Sequence, residues 1–296
     1  MDWSDKTVLV TGGTGSFGSA LAKYLIQTPP KKLIIFSRDW LKQKNLKDEF
    51  GELPWVRFFV GDVRDKDRLI RAFKNVDIVI HAAAIKDLPT CEYNPSEAML
   101  TNVTGTQNVI DAAIECKVSK SVLISTDKAC NPVNTYGTSK AMAEKLWINA
   151  NYYAATDDIK LSVCRYGNVV GSSGSVLPVW QKLIAEGVTE LPITDERMTR
   201  FWFPMQQAID FVVDSLDKMQ GGEIFIPEIP SIRITDLAEA LGTPYKVVGV
   251  RPGEKIHETM GTYLEDGTLL DSGNNPNFLT VAEIRETIGS ITIKNI

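Results

Sequence analysis

Short apolar runs rich in Val and Ile alternate with longer stretches of mixed polarity through the first half of the chain. Apolar residues crowd positions 7–10, 32–36, 56–60, 76–80, 121–125 and 161–165, runs of strand length that predict six strands. Between them, apolar residues return at three- and four-residue intervals over 17–26, 41–50, 66–73, 96–116 and 136–154, which predicts helices. Pro29-Pro30 stops the first of these. Strands and helices alternating in this way predict an α/β fold, a doubly wound parallel Rossmann sheet covered on both faces. After Asn168 the rhythm breaks. Residues 171–174 read as a Gly/Ser turn, 178–186 and 204–218 as helices, and the chain from 223 onward as short strands with one helix opened by Thr235 and Asp236. The expected division is a sheet domain over 1–167 plus 201–222 and a smaller, discontinuous lobe over 168–200 plus 223–296.

Composition narrows the function classes. The 296 residues are 44% hydrophobic and 23% charged, enough for a large core and far from a disordered composition. A net charge of −5 leaves no electrostatic footprint for nucleic acid or an anionic membrane, so any anionic ligand depends on a few placed cations. Cys91, Cys116, Cys130 and Cys164 show no CxxC pairing, and with only His81 and His257 to join them neither a disulfide scaffold nor a metal site is expected. The opening Met1-Asp2-Trp3-Ser4-Asp5-Lys6 is too acidic for a signal peptide. No apolar run reaches the roughly 18 residues of a membrane span, and a cytoplasmic protein is expected.

Candidate chemistry begins at Thr11-Gly12-Gly13-Thr14-Gly15-Ser16-Phe17-Gly18, which follows the first strand and opens the first helix, the context a dinucleotide fingerprint requires. Gly12 permits the tight turn, Gly15 lets the backbone approach a pyrophosphate, and Gly18 lets the helix pack on the sheet. Free N–H groups and the helix dipole then face the anion, and Thr14, Ser16 and Phe17 share the loop. A carboxylate after the second strand would hold a ribose hydroxyl and repel a 2′-phosphate. Here the chain reads Ser37-Arg38-Asp39 with Lys42 one helical turn on. Ser37 can hydrogen-bond a phosphate and Arg38 and Lys42 can clamp it, so NADP is the expected cofactor. Asp39 keeps open the reading of Arg38 and Lys42 as plain surface charges. Asp62-Val63 can bracket the adenine, and Ala82-Ala83 supply small residues where a cofactor passes. His81 reads as a core histidine.

The fifth strand ends in Thr126-Asp127-Lys128, and Tyr136-Gly137-Thr138-Ser139-Lys140 follows. Tyr136 and Lys140 share a helix face. A phenol is a poor base at neutral pH, but a lysine ammonium and a positive nicotinamide ring both favour the tyrosinate. That pair suits proton removal from a sugar hydroxyl as hydride leaves the same carbon. A dehydrogenase or 4-epimerase needs such a pair and a hydroxyl near Thr126, yet leaves Asp127 and Lys128 idle. Elimination of water uses them: oxidation at C4 of a hexose acidifies the C5 proton, Lys128 removes it as base, and Asp127 as acid protonates the departing C6 hydroxyl. A surface ion pair is the plain alternative.

Ser125-Thr126-Asp127-Lys128-Ala129, Asn131-Pro132, the Tyr136 to Lys140 run, Arg165-Tyr166-Gly167-Asn168-Val169 and Gly171-Ser172 together resemble the extended short-chain dehydrogenase/reductase family. Within it they are similar to the inverting UDP-N-acetylglucosamine 4,6-dehydratases of pseudaminic acid biosynthesis. The likeness continues through Ile193-Thr194-Asp195, Met198 to Trp202, Arg251 to Lys255 and Asn275-Pro276, nearly the whole chain. It implies tightly held, recycled NADP, a UDP-sugar between the lobes, a homo-oligomer, and a 4-keto-6-deoxy product inverted at C5 with Lys128 taking part in reprotonation. It places Lys86, Thr101 and Val169 at the cofactor. It places Lys86, Asn168, Val176, Thr194, Met198, Arg200, Arg251 and Glu254 at the substrate, with Arg251 on the diphosphate. Tyr136 leans toward the inverting branch, since retaining relatives often carry Met there. Asp87-Leu88 departs from the His or Gln followed by Val that relatives usually carry after Lys86. A C5-retaining dehydratase or a nucleotide-sugar 4-epimerase remains the alternative, and a cofactor-binding sensor without turnover would leave the catalytic set without a use.

Overall fold

In the computed structural model, which describes residues 1–154, 158–264 and 267–293, the apolar runs assemble into one parallel sheet. Its strands are β1 (Thr7–Thr11), β2 (Lys32–Ser37), β3 (Val56–Val60), β4 (Ile78–His81), β5 (Lys120–Thr126), β6 (Lys160–Tyr166) and the short Ile224–Phe225. They lie in the order Ile224–Phe225, β6, β5, β4, β1, β2, β3, every pair parallel. The winding reverses between β1 and β4, so the loops leaving their C-terminal ends part and open a crevice. Val8 and Val10 join Leu21, Leu25, Val212 and Leu216 on one face. Leu9, between them, joins Val79, Leu123, Ile110 and Trp147 on the other. Two apolar faces with a two-residue alternation explain why the strands read as unbroken hydrophobic runs. Truncating the fully buried Leu9 to Ala would cost about 2–5 kcal/mol.

The helix expected over 96–116 is interrupted. Pro95–Met99 passes into a π turn at Leu100–Thr104 and then into Gly105–Glu115. The Asn102 side chain in that turn accepts from Ile85 N at 2.8 Å and donates to Ile85 O at 2.9 Å and Ser139 Oγ at 3.0 Å. Such insertions recur beside functional sites, and this one ties the loop after β4 to the helix that carries Tyr136. Just upstream, a helix the apolar pattern did not predict, Leu88–Tyr93, is capped by Asp87, whose carboxylate accepts from Thr90 N at 2.9 Å. The departure at Asp87-Leu88 therefore starts a helix.

The smaller lobe has its own core, with Trp180, Leu191, Ile193, Met198, Trp202, Ile232, Leu237 and Ile284. It includes a three-stranded sheet ordered Ser231–Arg233, Thr199–Phe203, Asn168–Val169. Two expected boundaries shift. Ile224–Phe225, read as lobe, pairs with β6 at the sheet edge. Thr199–Phe203, divided by a boundary at 200, is one strand whose alternate side chains serve both cores, Phe201 and Phe203 the large one and Trp202 the small one. Helix Met205–Lys218 returns to the large sheet and packs on Ser16–Gln27. After 223 a further helix, Val281–Ile293, goes beyond the single one expected there and packs on Ile234–Ala240. Its start carries a reciprocal cap, Thr280 N donating to Glu283 Oε2 at 2.8 Å and Glu283 N to Thr280 Oγ1 at 3.3 Å. Among the described residues no helix is long and apolar enough to cross a membrane, and no group of three or more His, Cys, Asp or Glu could hold a metal ion.

Candidate active site

The crevice between sheet and lobe is a cleft of about 900 Å³. The glycine loop builds one end. Gly12 sits at φ +65°, and a Cβ there would come within 2.7 Å of Ala83 N; a Cβ on Gly18 would strike Gly12 O. Only glycine suits these two positions. Helix Ser16–Gln27 starts at Gly15 with no side-chain cap, so its first-turn N–H groups and dipole are available to an anion. Gly12, Gly15, Ser16, Phe17, Gly18 and Ala82 all line the cleft. Ser16 Oγ accepts from Ser173 N at 2.9 Å, which brings the lobe's Gly/Ser turn over the loop.

At the end of β2 the Arg38 and Lys42 side chains are 54% and 66% exposed. Asp39 is engaged as a helix N-cap, accepting from Lys42 N at 3.0 Å. Ser37 departs from expectation: it is buried, and its Oγ accepts from Gln43 Nε2 at 3.0 Å. Thr14 and Lys42 line a separate depression of about 210 Å³ beside the helix Trp40–Phe50. The other expected cofactor contacts differ in their surroundings. Val63 is buried beneath Gly105, Thr101 is buried, and Ala83 is partly buried against the core. The Asp62 carboxylate is held by Arg64 at 2.7 Å and faces Arg38 at 3.7 Å. Residues following a strand end satisfy the nearest backbone, cation or core first, which a linear motif does not reveal. His81 is a core histidine: Nδ1 lies 2.6 Å from Thr11 Oγ1 and Nε2 3.1 Å from Thr106 Oγ1. Burial pushes its ring down to about 3, so it stays neutral.

Tyr136 and Lys140 project from the helix Thr135–Tyr153, opened by Asn134, whose side chain accepts from Gly137 N at 2.7 Å. Lys140 Nζ donates to Ile124 O at 2.8 Å, and burial lowers its ammonium to about 8. Burial pushes the Tyr136 phenol up to about 12, against the Lys128 cation and the Thr126 hydroxyl bonded to it. The protein alone therefore holds a phenol rather than the expected tyrosinate, because desolvation outweighs the nearby cations. One turn further on, the buried Glu144 accepts from Ser125 Oγ at 2.6 Å and from Arg165 Nε at 3.0 Å, which fixes this helix to β5 and β6.

Asp127 and Lys128 form a short turn at the end of β5. Asp127 is fully buried; its Oδ1 accepts from Lys128 Nζ at 3.0 Å and Thr126 Oγ1 at 2.9 Å, while Oδ2 has no partner. Burial raises this carboxyl, Lys128 pulls it back, and the Glu258 carboxylate adds to the rise. The net direction is upward, toward the acid form. The Lys128 side chain, 14% exposed, lines the cleft. Its Nζ also lies 3.3 Å from Glu258 Oε1 and 3.4 Å from Asn168 Oδ1. Burial opposes its charge, but the two carboxylates outweigh burial and raise it. These two groups are buried at a cleft wall, which is not the arrangement of a surface ion pair.

The segment after Val250 closes the far end. Arg251 and Glu254 line the cleft around a turn at Gly253, φ +84°. Asn134 Nδ2 donates to Gly253 O at 2.8 Å and Lys255 Nζ to Cys130 O at 2.7 Å. The Arg200 guanidinium donates to the carbonyls of Lys255 at 3.0 Å and Ile256 at 3.1 Å. Lys86, Asn168, Val169, Val176 and Arg200 share the cleft wall. Met198 and Thr194 do not: Met198 is buried in the lobe core, and Thr194, half-buried, is not part of the lining. Asn134, Lys255 and Glu258 are site residues that sequence reasoning missed. Asn134 had a readable signal, a cap two residues before Tyr136; Glu258 meets Lys128 only through the fold.

A parallel sheet with this glycine-loop crevice, a Tyr-x-x-x-Lys helix packed on β5 and β6 and a lobe across the cleft has the form of an extended short-chain dehydrogenase/reductase. Residues 8–275 match the family described as polysaccharide biosynthesis protein, and the chain belongs to that family. It is 53% identical over 261 residues to the UDP-N-acetylglucosamine 4,6-dehydratase (inverting) of Campylobacter jejuni subsp. jejuni serotype O:2, covering 87% of this chain and 78% of that one. It is 42% identical over 266 residues to a UDP-glucose 4-epimerase of Rickettsia akari, covering 86% and 77%. The X-ray structure of Pen from Bacillus thuringiensis matches with a TM-score of 0.93 at 34% identity, over 99% of both chains.

Proposed function

We propose that the protein is a C5-inverting UDP-N-acetylglucosamine 4,6-dehydratase that uses NADP. The observation that carries this reading is the buried Asp127–Lys128 pair at the cleft wall beside Tyr136. An epimerase has no step for that pair. The inverting dehydratase relative, at 53% identity against 42% for the epimerase, supports the same choice.

The glycine loop suits a dinucleotide on three counts: the positive φ at Gly12, the tight backbone packing at Gly12 and Gly18 that a Cβ would break, and the uncapped helix start. Arg38 and Lys42, with Asp39 engaged in capping, favour a 2′-phosphate. When bound, NADP supplies hydride acceptance at C4 and hydride return to C6. Tyr136 takes the C4 hydroxyl proton as a tyrosinate, a form that a bound, positively charged nicotinamide ring would favour over the phenol the protein alone holds, with Thr126 bonded to its oxygen and Lys140 one turn below. Once C4 is a carbonyl, Lys128, its own proton passed to Asp127 across their 3.0 Å contact, removes the C5 proton. Asp127, held toward its acid form, gives a proton to the C6 hydroxyl, which leaves as water. Lys128 then returns a proton to C5 from the face that inverts it. Arg251 engages the diphosphate, and Arg200 holds the Arg251 segment in place through its carbonyls.

The test is incubation with UDP-N-acetylglucosamine and a trace of NADP, read by mass spectrometry. A product lighter by one water supports the dehydratase. UDP-N-acetylgalactosamine, equal in mass and separable by chromatography, or unchanged substrate overturns it.

A further inference from the structure

Three elements converge on Lys128 Nζ. Asp127 comes from its own turn, Asn168 from the short strand Asn168–Val169, and Glu258 from the lobe segment that follows Arg251. Glu258 is 2% exposed. Its Oε1 lies 3.3 Å from Lys128 Nζ and its Oε2 3.5 Å from Lys255 Nζ, yet Oε2 accepts no hydrogen bond. Its backbone N–H donates to Ser272 Oγ at 2.9 Å, which places the side chain from the lobe side. A carboxylate buried this deeply is costly unless cations face it. Burial alone would raise Glu258, but Lys128, Arg200 and Lys255 outweigh it and keep it ionised. The lobe core is built elsewhere, around Trp180 and Trp202, so packing does not explain a carboxylate at this spot.

We infer that Glu258 is a positioning residue for Lys128: its carboxylate, brought in by the segment that carries Arg251, holds the lysine amine at the cleft wall and sets the pH at which that amine gives up its proton. The inference rests on Lys128 being the C5 base. It also answers a difficulty in the chemistry. An acid and an amine 3.0 Å apart would settle as a plain ion pair, with Asp127 stripped of the proton it must deliver. A second carboxylate on the far side of the amine balances the ammonium and lets Asp127 keep its proton.

The charged groups that face Lys128 are few. Asp127 and Glu258 favour the ammonium and Arg200 opposes it. Lys86 feels the Lys128 cation from across the cleft, Lys255 sits on the other oxygen of Glu258, and Tyr136 is a neutral phenol. Removing the Glu258 charge lowers the affinity of Lys128 for its proton. A base that works only when neutral then becomes competent at lower pH. Removing Lys255 acts in the opposite sense, because the full Glu258 charge falls on Lys128.

The experiment is the pH dependence of kcat/KM for UDP-N-acetylglucosamine in the NADP-loaded enzyme and in Glu258→Gln, Glu258→Asp, Lys255→Met and Lys128→Ala. For Glu258→Gln the acidic limb is expected to move down by about one pH unit, a tenfold change in the neutral fraction of Lys128 at a given pH. Glu258→Asp restores the limb toward the parent, and Lys255→Met moves it upward. A Glu258→Gln enzyme that loses activity at every pH with its midpoint unmoved overturns the inference. If that variant does not fold, an unmoved midpoint in Lys255→Met overturns it instead. Lys128→Ala separates the two claims. Turnover at the parent rate in that variant removes the base assignment itself, whereas an inactive Lys128→Ala beside an unmoved Glu258→Gln removes only the role of Glu258.

Discussion

Lys140 shows how a single buried group links chemistry to stability. Its ordinary pKa of 10.5 falls to about 8 through burial, a cost to the ammonium of roughly 3 kcal/mol. The unfolded chain binds that proton more tightly, so stability rises with pH between about 8 and 10.5 and carries the full penalty below that window. Lys140→Met should therefore melt several degrees higher than the parent at pH 7, with the gap closing toward pH 10.5, while dehydration falls about 10²- to 10⁴-fold. Calorimetry across that pH range checks the first part; a gap that does not change with pH contradicts the burial argument. Among single residues, Tyr136, Lys140, Asp127 and Lys128 were legible because their partners lie within two helical turns or side by side. Glu258 was not, since nothing in the local sequence shows a carboxylate returning to Lys128 from the lobe. Met198 misled in the other direction, as the alternation of Thr199–Phe203 buries it in the lobe core.

Among the elements, the strand ends of the sheet carry the ligand chemistry and their neighbours decide which side chains are available. Asp39 looks like a ligand in a linear reading and is a helix cap in the fold, as is Asp87. With Asp39 so engaged, Arg38 and Lys42 are the charges that the proposed NADP preference rests on. Arg38→Ala should weaken NADP at least tenfold more than NAD in a titration by tryptophan fluorescence. Equal losses for both would contradict the phosphate clamp. Folding should be unchanged, because an exposed pair such as Arg38–Asp62 at 3.7 Å contributes little. The six long strands and most helices of the sheet domain were legible because apolar periodicity reports burial directly. The π turn at Leu100–Thr104 was not, since an inserted residue in a helix leaves the apolar period almost intact. The helix Val281–Ile293 had a readable start in Thr280 and Glu283, but its weak apolar stripe hid the rest.

Across the whole molecule, an acidic chain sets the glycine loop and a few cations around one cleft. The glycine loop stands at one end and Arg251 at the other, with Lys86, Lys128 and Arg200 along the wall. The segment that carries Arg251 is fastened to the catalytic side through Asn134, Lys255 and Glu258, so substrate grip and acid–base geometry are built as one unit. Sequence periodicity found the two lobes but drew their border through Thr199–Phe203, a strand that belongs to both cores. The central claim is that Lys128 and Asp127 eliminate water across C5 and C6 and that C5 is then reprotonated with inversion. NMR of the product formed from UDP-N-acetylglucosamine in deuterium oxide tests it most directly. The predicted result is a 4-keto-6-deoxy sugar with deuterium at C5, inverted configuration there, and at C6 the hydrogen that began at C4. A product epimerised at C4 with no deuterium at C5 would contradict the account.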